Sequence, residues 1–268
     1  MNKKKITILI ISIALITFAA GAYLFSGDYE ELAESVIPES CNVMAFSIKG
    51  YLSTYTPLQP AGEEVDISSS EEIVDGILLA QNNPNIKAIM LSIDSGGGDG
   101  VAGEEIAHAL KSTEKPTVAV IRGLGASSAY WAATGADKIY SSKISDVGSI
   151  GITASYLDES GKNAKEGYTY TELSSAKYKN VGDPGRPLSA EEKAIVIADL
   201  RKAHNVFVRD VATNRELEVS AVEKLANGLT FIGEDALKNG LIDEIGDIIT
   251  ATKYVEEQIG EKAELCWY

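Results

Sequence analysis

The chain of 268 residues predicts an α/β fold with a mostly parallel sheet. Three observations point to it. Buried-type β runs recur at Val43 to Ile48, Ile86 to Ile93 and Thr117 to Ile121. Helical stretches stand between them, at Ser70 to Gln81, where Ile73, Ile77 and Ala80 share a face, and at Val101 to Lys111. Short turns join strand to helix and helix to strand, the arrangement of parallel crossovers.

Taken in order, the chain opens with Lys3-Lys4-Lys5 and then Ile6 to Phe25, twenty residues without a charge. That length spans a bilayer as a helix and exceeds the apolar region of a cleaved signal peptide, although Ala20-Gly-Ala22 offers a cleavage-like triplet. Basic residues before the span, with Asp28, Glu30, Glu31 and Glu34 after it, orient the N-terminus toward the cytoplasm. The expected organisation is a cytoplasmic stub and transmembrane signal anchor over 1–25, an acidic stalk over 26–42, and one extracytoplasmic domain over 43–268. Beyond the parallel core, short β runs are expected at Lys138 to Tyr140, around Val147 to Ile152, and near Tyr168 to Leu173. Ser189-Ala-Glu-Glu192 reads as a capping box opening a long helix whose apolar face holds Val196, Leu200, Ala203, Phe207 and Val211. A second box, Ser220-Ala-Val-Glu223, predicts a short helix, and further helices are expected at Gly233 to Asn239 and Ile248 to Gln258.

A formal charge of −15 argues against nucleic acid as partner, because phosphate binding needs basic patches. The two cysteines, Cys41 and Cys266, lack metal-site spacing. In an exported domain they could staple the first strand region to the tail.

Chemistry concentrates at Gly123-Leu-Gly-Ala-Ser-Ser-Ala-Tyr-Trp131, a tight turn from a strand into a helix of small residues. A serine there, Ser127, is either a helix cap or a nucleophile whose oxyanion hole is partly its own backbone. Gly98-Asp-Gly100-Val-Ala-Gly103 matches a dinucleotide-binding pattern, but Asp99 would set a carboxylate where pyrophosphate lies, and no acidic ribose ligand ends the next strand. The glycines instead suit close approach of a backbone amide to an oxyanion. His108 and His204 sit in helices and read as surface or core-edge residues more readily than as a triad base, and a lysine can serve instead if it is held neutral. Spacing alone does not choose among Lys138, Lys143, Lys162, Lys165, Lys177 and Lys179.

The ordered blocks resemble the signal peptide peptidase A (protease IV) family, serine–lysine peptidases with a crotonase- or Clp-protease-like fold. Ile89 to Gly98 resembles its strand ending in a glycine turn, Gly125 to Trp131 its Ala-Ser-Gly-Gly-Tyr-Tyr block, and Val147-Gly-Ser-Ile-Gly151 its Thr-Gly-Ser-Ile-Gly segment. Ser174 to Lys193 resembles the lysine segment, and Gly228 to Gly246 the closing signature. The resemblance implies Ser127 as nucleophile, Lys179 as general base with Lys177 as competitor, Ser149 as the group orienting the amine, and an oxyanion hole from Gly97 or Gly98 with Ser128. It also implies peptide substrates such as remnant signal peptides and other apolar segments, a ring-like homo-oligomer whose serine and lysine come from different subunits, and no metal or cofactor. The chain departs from the family where Ser128-Ala129 replaces Gly-Gly, Gly96 replaces proline and Asp94 replaces asparagine. A membrane scaffold on the same fold is the alternative; a coenzyme A-dependent crotonase is disfavoured by the exported domain.

Overall fold

The computed structural model describes residues 41–57 and 66–268. The anchor expected at 6–25 and nearly all of the stalk lie outside these residues. Among the described residues no helix is long and apolar enough to cross a membrane.

The expected parallel sheet is present, centred on β1 (Val43–Ser53), β3 (Ala88–Gly98) and β4 (Thr117–Ala126). With β2 (Ile67–Ser69), β5 (Lys138–Ser141) and β8 (Glu244–Ile245) the strand order is β2-β1-β3-β4-β5-β8. β9 (Leu265–Trp267) joins the start of β1, and β6 (Asp146–Gly148) joins the far end of β4. Among the described residues the one antiparallel pairing is β6 with β7 (Thr230–Ile232).

Strand alternation sends Met44, Ile89 and Ala119 to one face and Val43, Met90 and Val120 to the other, and all six are buried. Burial on both faces is why these strands read as continuous apolar runs. Three helices pack on the first face: α1 (Ser70–Asn82), α2 (Gly100–Ser112) and α3 (Ser128–Thr134). In α1 the expected residues Ile73, Ile77 and Ala80 are the buried ones. Its N-terminus is capped by Ser69 Oγ, and Lys115 closes the other end by donating to the carbonyls of Ala80 and Asn83. The second face is covered by α8 (Ile248–Ile259), through Ala251 and Val255.

Between β6 and β7 the chain makes an excursion through α4 (Ser160–Lys165), α5 (Ala190–Asn214) and α6 (Val219–Leu225). The capping box of α5 is formed as expected, with Ser189 Oγ accepting from the Glu192 amide at 3.2 Å and the Glu192 carboxylate accepting from the Ser189 amide at 2.8 Å. Only the second half of this helix is embedded. Phe207 and Val211 are buried together with Val208 and Ala212, whereas Val196 and Leu200 are half-buried and Ala203 is exposed.

Three expectations are corrected. Tyr168 to Leu173 forms no strand and is exposed apart from Glu172, because it runs beside no sheet edge and buries no alternate side chains. The strand around Val147 stops at Gly148, where Ser149 turns out of the ladder with φ of 51°. Ser220 is no cap, since α6 already begins at Val219. The cause is the preceding turn: Glu216 adopts φ of 54°, and the Leu217 amide bonds back to the Ala212 carbonyl at 2.8 Å, a Schellman closure that delivers the chain into α6 two residues early, with Glu218 at the cap position. The last short helix, α7 (Gly233–Lys238), follows β7 directly. Cys41 and Cys266 form a disulfide with Cα atoms 5.7 Å apart, tying the head of β1 to β9.

Candidate active site

β4 ends at Ala126 and α3 begins at Ser128, so Ser127 alone makes the turn. It does so at φ 53° and ψ −128°, a region that L-residues avoid at about 1–3 kcal/mol. The strain is held by two main-chain bonds, Ser127 N–H to the Gly148 carbonyl at 2.8 Å and Trp131 N–H to the Ser127 carbonyl at 2.9 Å. Its hydroxyl makes no capping bond, so the side chain is not spent on the helix. A strained strand-to-helix turn with an uncommitted, half-buried hydroxyl is the geometry of a nucleophile elbow.

The glycine loop presses on this turn. Gly97 has φ of 92°, and a Cβ there would lie 2.7 Å from the Ala126 carbonyl oxygen, 2.9 Å from Ser127 Cβ and 2.9 Å from the Ser128 nitrogen. Its amide donates to Ser95 Oγ at 3.0 Å, and Ser95 in turn donates to the Gly50 carbonyl at 2.7 Å. The nucleotide-like spacing of the glycines has a packing origin: a Cβ on Gly98 would strike the Leu52 carbonyl oxygen at 2.0 Å, and one on Gly103 would strike that of Ser128 at 2.3 Å. Asp99 turns its carboxylate to Tyr51 and Ser53, at 2.7 and 3.2 Å, away from any phosphate role.

Ser149 stands across from Ser127. Its amide donates to the Leu229 carbonyl at 3.0 Å and its hydroxyl to the Gly228 carbonyl at 3.0 Å. With its proton so engaged, the Ser149 oxygen presents lone pairs that can accept from an amine. Ser127 and Ser149 line one cavity of about 350 Å³, shared with residues 151–153, residues 226–228 and His204 from α5. A larger open cleft of about 960 Å³ between α1 and α2, which includes the exposed His108, contains neither serine.

Ser128 is 1% exposed and its hydroxyl has no hydrogen-bond partner among the described residues. The adjacent hydroxyl is therefore sealed off from the cavity. The indole N–H of Trp131, one turn on, is likewise buried and unpartnered. These two atoms fall where the chain carries serine and tryptophan in place of the family block's glycine and tyrosine.

Lys179 is exposed and does not line the cavity. Lys177 donates to both Glu191 oxygens, at 2.8 and 2.7 Å; that bond, with help from Tyr178, raises its pKa and holds it as an ammonium. The fold thus gathers Ser127, Ser149, the glycine loop and Ser128, and leaves both lysines on the outer excursion. His204 is the residue that sequence reading did not assign to the site. Its signal is helical spacing: it precedes Phe207 and Val208 by three and four residues and so shares their inward face.

Comparison with known proteins bears on the family and the fold. The family model described as peptidase family S49 matches residues 109–262, and that of Clp protease matches residues 59–144. A protein provisionally named as a protease in Methanocaldococcus jannaschii is 35% identical over 66% of this chain and 58% of its own length. A protein provisionally named as a signal peptide peptidase in Enterococcus faecium is 32% identical over 62% and 49%. Protease 4 of Haemophilus influenzae is 27% identical over 76% of this chain and 34% of its own. The chain therefore spans between a third and three-fifths of the length of these relatives. Among solved structures, a variant of a membrane-bound stomatin-specific protease superposes with a TM-score of 0.52 at 16% identity, covering 85% of this chain and 97% of that one, a likeness of fold.

Proposed function

The chain belongs to peptidase family S49, and from that premise we propose that it is a membrane-anchored serine endopeptidase acting through Ser127 and Lys179. The observation that carries the reading is Ser127 itself, strained, uncapped and facing a cavity with Ser149. In the proposed reaction Ser127 Oγ attacks the scissile carbonyl carbon as its proton passes to the neutral Lys179 amine, which Ser149 orients. The oxyanion accepts from the Ser128 amide and from a glycine-loop amide; that of Gly97 is engaged by Ser95, which favours Gly98. The lysine proton then passes to the leaving amine; water, giving a proton to the lysine, attacks the acyl carbonyl, and the lysine returns that proton to Ser127 Oγ as the bond to the acyl group breaks. No step calls on a metal or cofactor.

Substrates on this reading are apolar peptides such as remnant signal peptides, met at the outer face of a cell membrane by a domain over 43–268 held there by residues 1–25 and the stalk over 26–42. We take Lys179 to reach Ser127 from a neighbouring copy in a homo-oligomer. Two features support that: Lys177 is occupied by Glu191, and the excursion bearing Lys179 exposes Leu157, Leu173, Ile195 and Ile197, which none of the described residues covers. The alternative, a membrane scaffold on a peptidase fold, is favoured by the absence of a lysine from the cavity lining.

Co-expression separates the two. Full-length Ser127→Ala and Lys179→Ala variants, each purified alone in detergent, are expected to leave an apolar peptide intact. Co-assembled, they are expected to regain hydrolysis, because one mixed interface carries both intact groups. Recovery of no activity from co-assembled variants, alongside an active wild type, rejects a shared dyad. An inactive but assembled wild type supports the scaffold.

A further inference from the structure

The cavity that holds Ser127 has one wall whose chemistry the proposed dyad does not use. His204 enters it from α5, and its position is set by a rigid relay. Phe207, three residues on and therefore on the same side of the helix, stacks on Trp131 with ring centroids 4.4 Å apart and planes 8° from parallel. Trp131 belongs to α3 and bonds through its amide to the Ser127 carbonyl. Histidine and serine are thus fixed to one another through a single buried aromatic pair. The His204 ring is half-buried and makes no hydrogen bond among the described residues. Beside it the side-chain oxygen of Asn227 accepts from the Leu229 amide at 3.0 Å, which turns the Asn227 NH2 into a free donor, and Thr153 contributes a hydroxyl.

We propose that His204 is a specificity-determining residue: with Asn227 and Thr153 it makes this pocket select a substrate residue bearing a hydrogen-bonding side chain at the scissile carbonyl, within an otherwise apolar peptide. This deepens the peptidase reading and rests on it. Because Ser127 itself lines the cavity, the residue whose carbonyl it attacks is the one placed to set its side chain against His204. An aliphatic side chain there would cover the ring nitrogens and the amide without pairing them. Sites built to hydrogen-bond reject isosteres that cannot do so for that reason. A half-open pocket makes the discrimination moderate, about tenfold in kcat/KM.

Full-length protein in detergent is assayed on two matched pairs of apolar peptides that differ only at the residue supplying the scissile carbonyl, Thr against Val and Asn against Leu. Wild type is expected to favour Thr and Asn by about tenfold in kcat/KM. His204→Leu is expected to erase that preference while still cleaving the Val and Leu peptides, and His204→Asn, which keeps a donor and an acceptor, to retain part of it. Labelling of Ser127 in the variants by a fluorophosphonate shows that their fold and nucleophile persist. Equal rates on both members of each pair in wild type, or an unchanged preference in His204→Leu, overturns the inference and leaves the peptidase reading standing. Cleavage of none of the peptides by a wild type that labels overturns both.

Discussion

Gly97 and Ser127 touch so closely that each explains the other. The serine holds its unfavourable dihedrals because a backbone without a side chain lies against it. Gly97→Ala would push a methyl group to within 2.9 Å of both Ser127 Cβ and the Ser128 nitrogen and would burden a φ of 92° with a side chain. The expected result is a loss of about a hundredfold in kcat/KM together with a lower Tm, measured on peptide hydrolysis and thermal melts. An unaltered rate would mean that the glycine loop does not help to shape the site. Ser128 makes the opposite prediction. Its buried hydroxyl has no partner among the described residues, so Ser128→Ala removes an unsatisfied group and is expected to stabilise by about 1 kcal/mol. A melt that shows the variant less stable than wild type would show that the hydroxyl is paired in solution.

Among the elements, α5 shows what patterning reveals and what it does not. Its start was legible because Ser189 and Glu192 satisfy each other locally, whatever surrounds them. The Glu192 carboxylate also takes two bonds from Arg186, at 2.7 and 2.9 Å, and Arg186 reaches on to Glu172 at 2.8 Å. These bonds, Arg186 first and Ser189 next, lower the Glu192 pKa from 4.5 to about 2. A carboxylate depressed in the folded state contributes stability that is complete above the unfolded value and is lost as pH falls through the folded one. Unfolding between pH 5 and 2 should therefore show a decline that flattens in Glu192→Gln; identical slopes for both proteins would contradict that role. The short helix after α5 was misjudged at Ser220 because a Schellman turn on a non-glycine residue, Glu216, leaves no mark in composition. Tyr168 to Leu173 misled because its tyrosines and threonines resemble a strand while no edge lies beside them. The site residues were legible where the backbone demands them: glycines bracket Ser149, and a glycine loop faces the serine turn. His204 was not, since its place in the cavity depends on the stack of Phe207 on Trp131, two residues 76 positions apart in sequence.

At the scale of the whole molecule, the chain is closed on itself by Cys41 and Cys266, which are 225 residues apart and bring β9 onto the start of β1. A link over so long a loop restricts the unfolded chain by about 5 kcal/mol. The Cys41→Ser, Cys266→Ser double variant is therefore expected to melt well below wild type, and wild type in reductant to approach it. Equal melting temperatures would show that the link contributes nothing. Stapled sheet, glycine loop and serine turn converge on a single group as the centre of the chemistry. Its most direct test is to treat the full-length protein with a fluorophosphonate and map the adduct by mass spectrometry. The account predicts one modified residue, Ser127, and loss of peptide hydrolysis in proportion to its labelling. An adduct on a different residue, or hydrolysis that survives in Ser127→Ala, would contradict it.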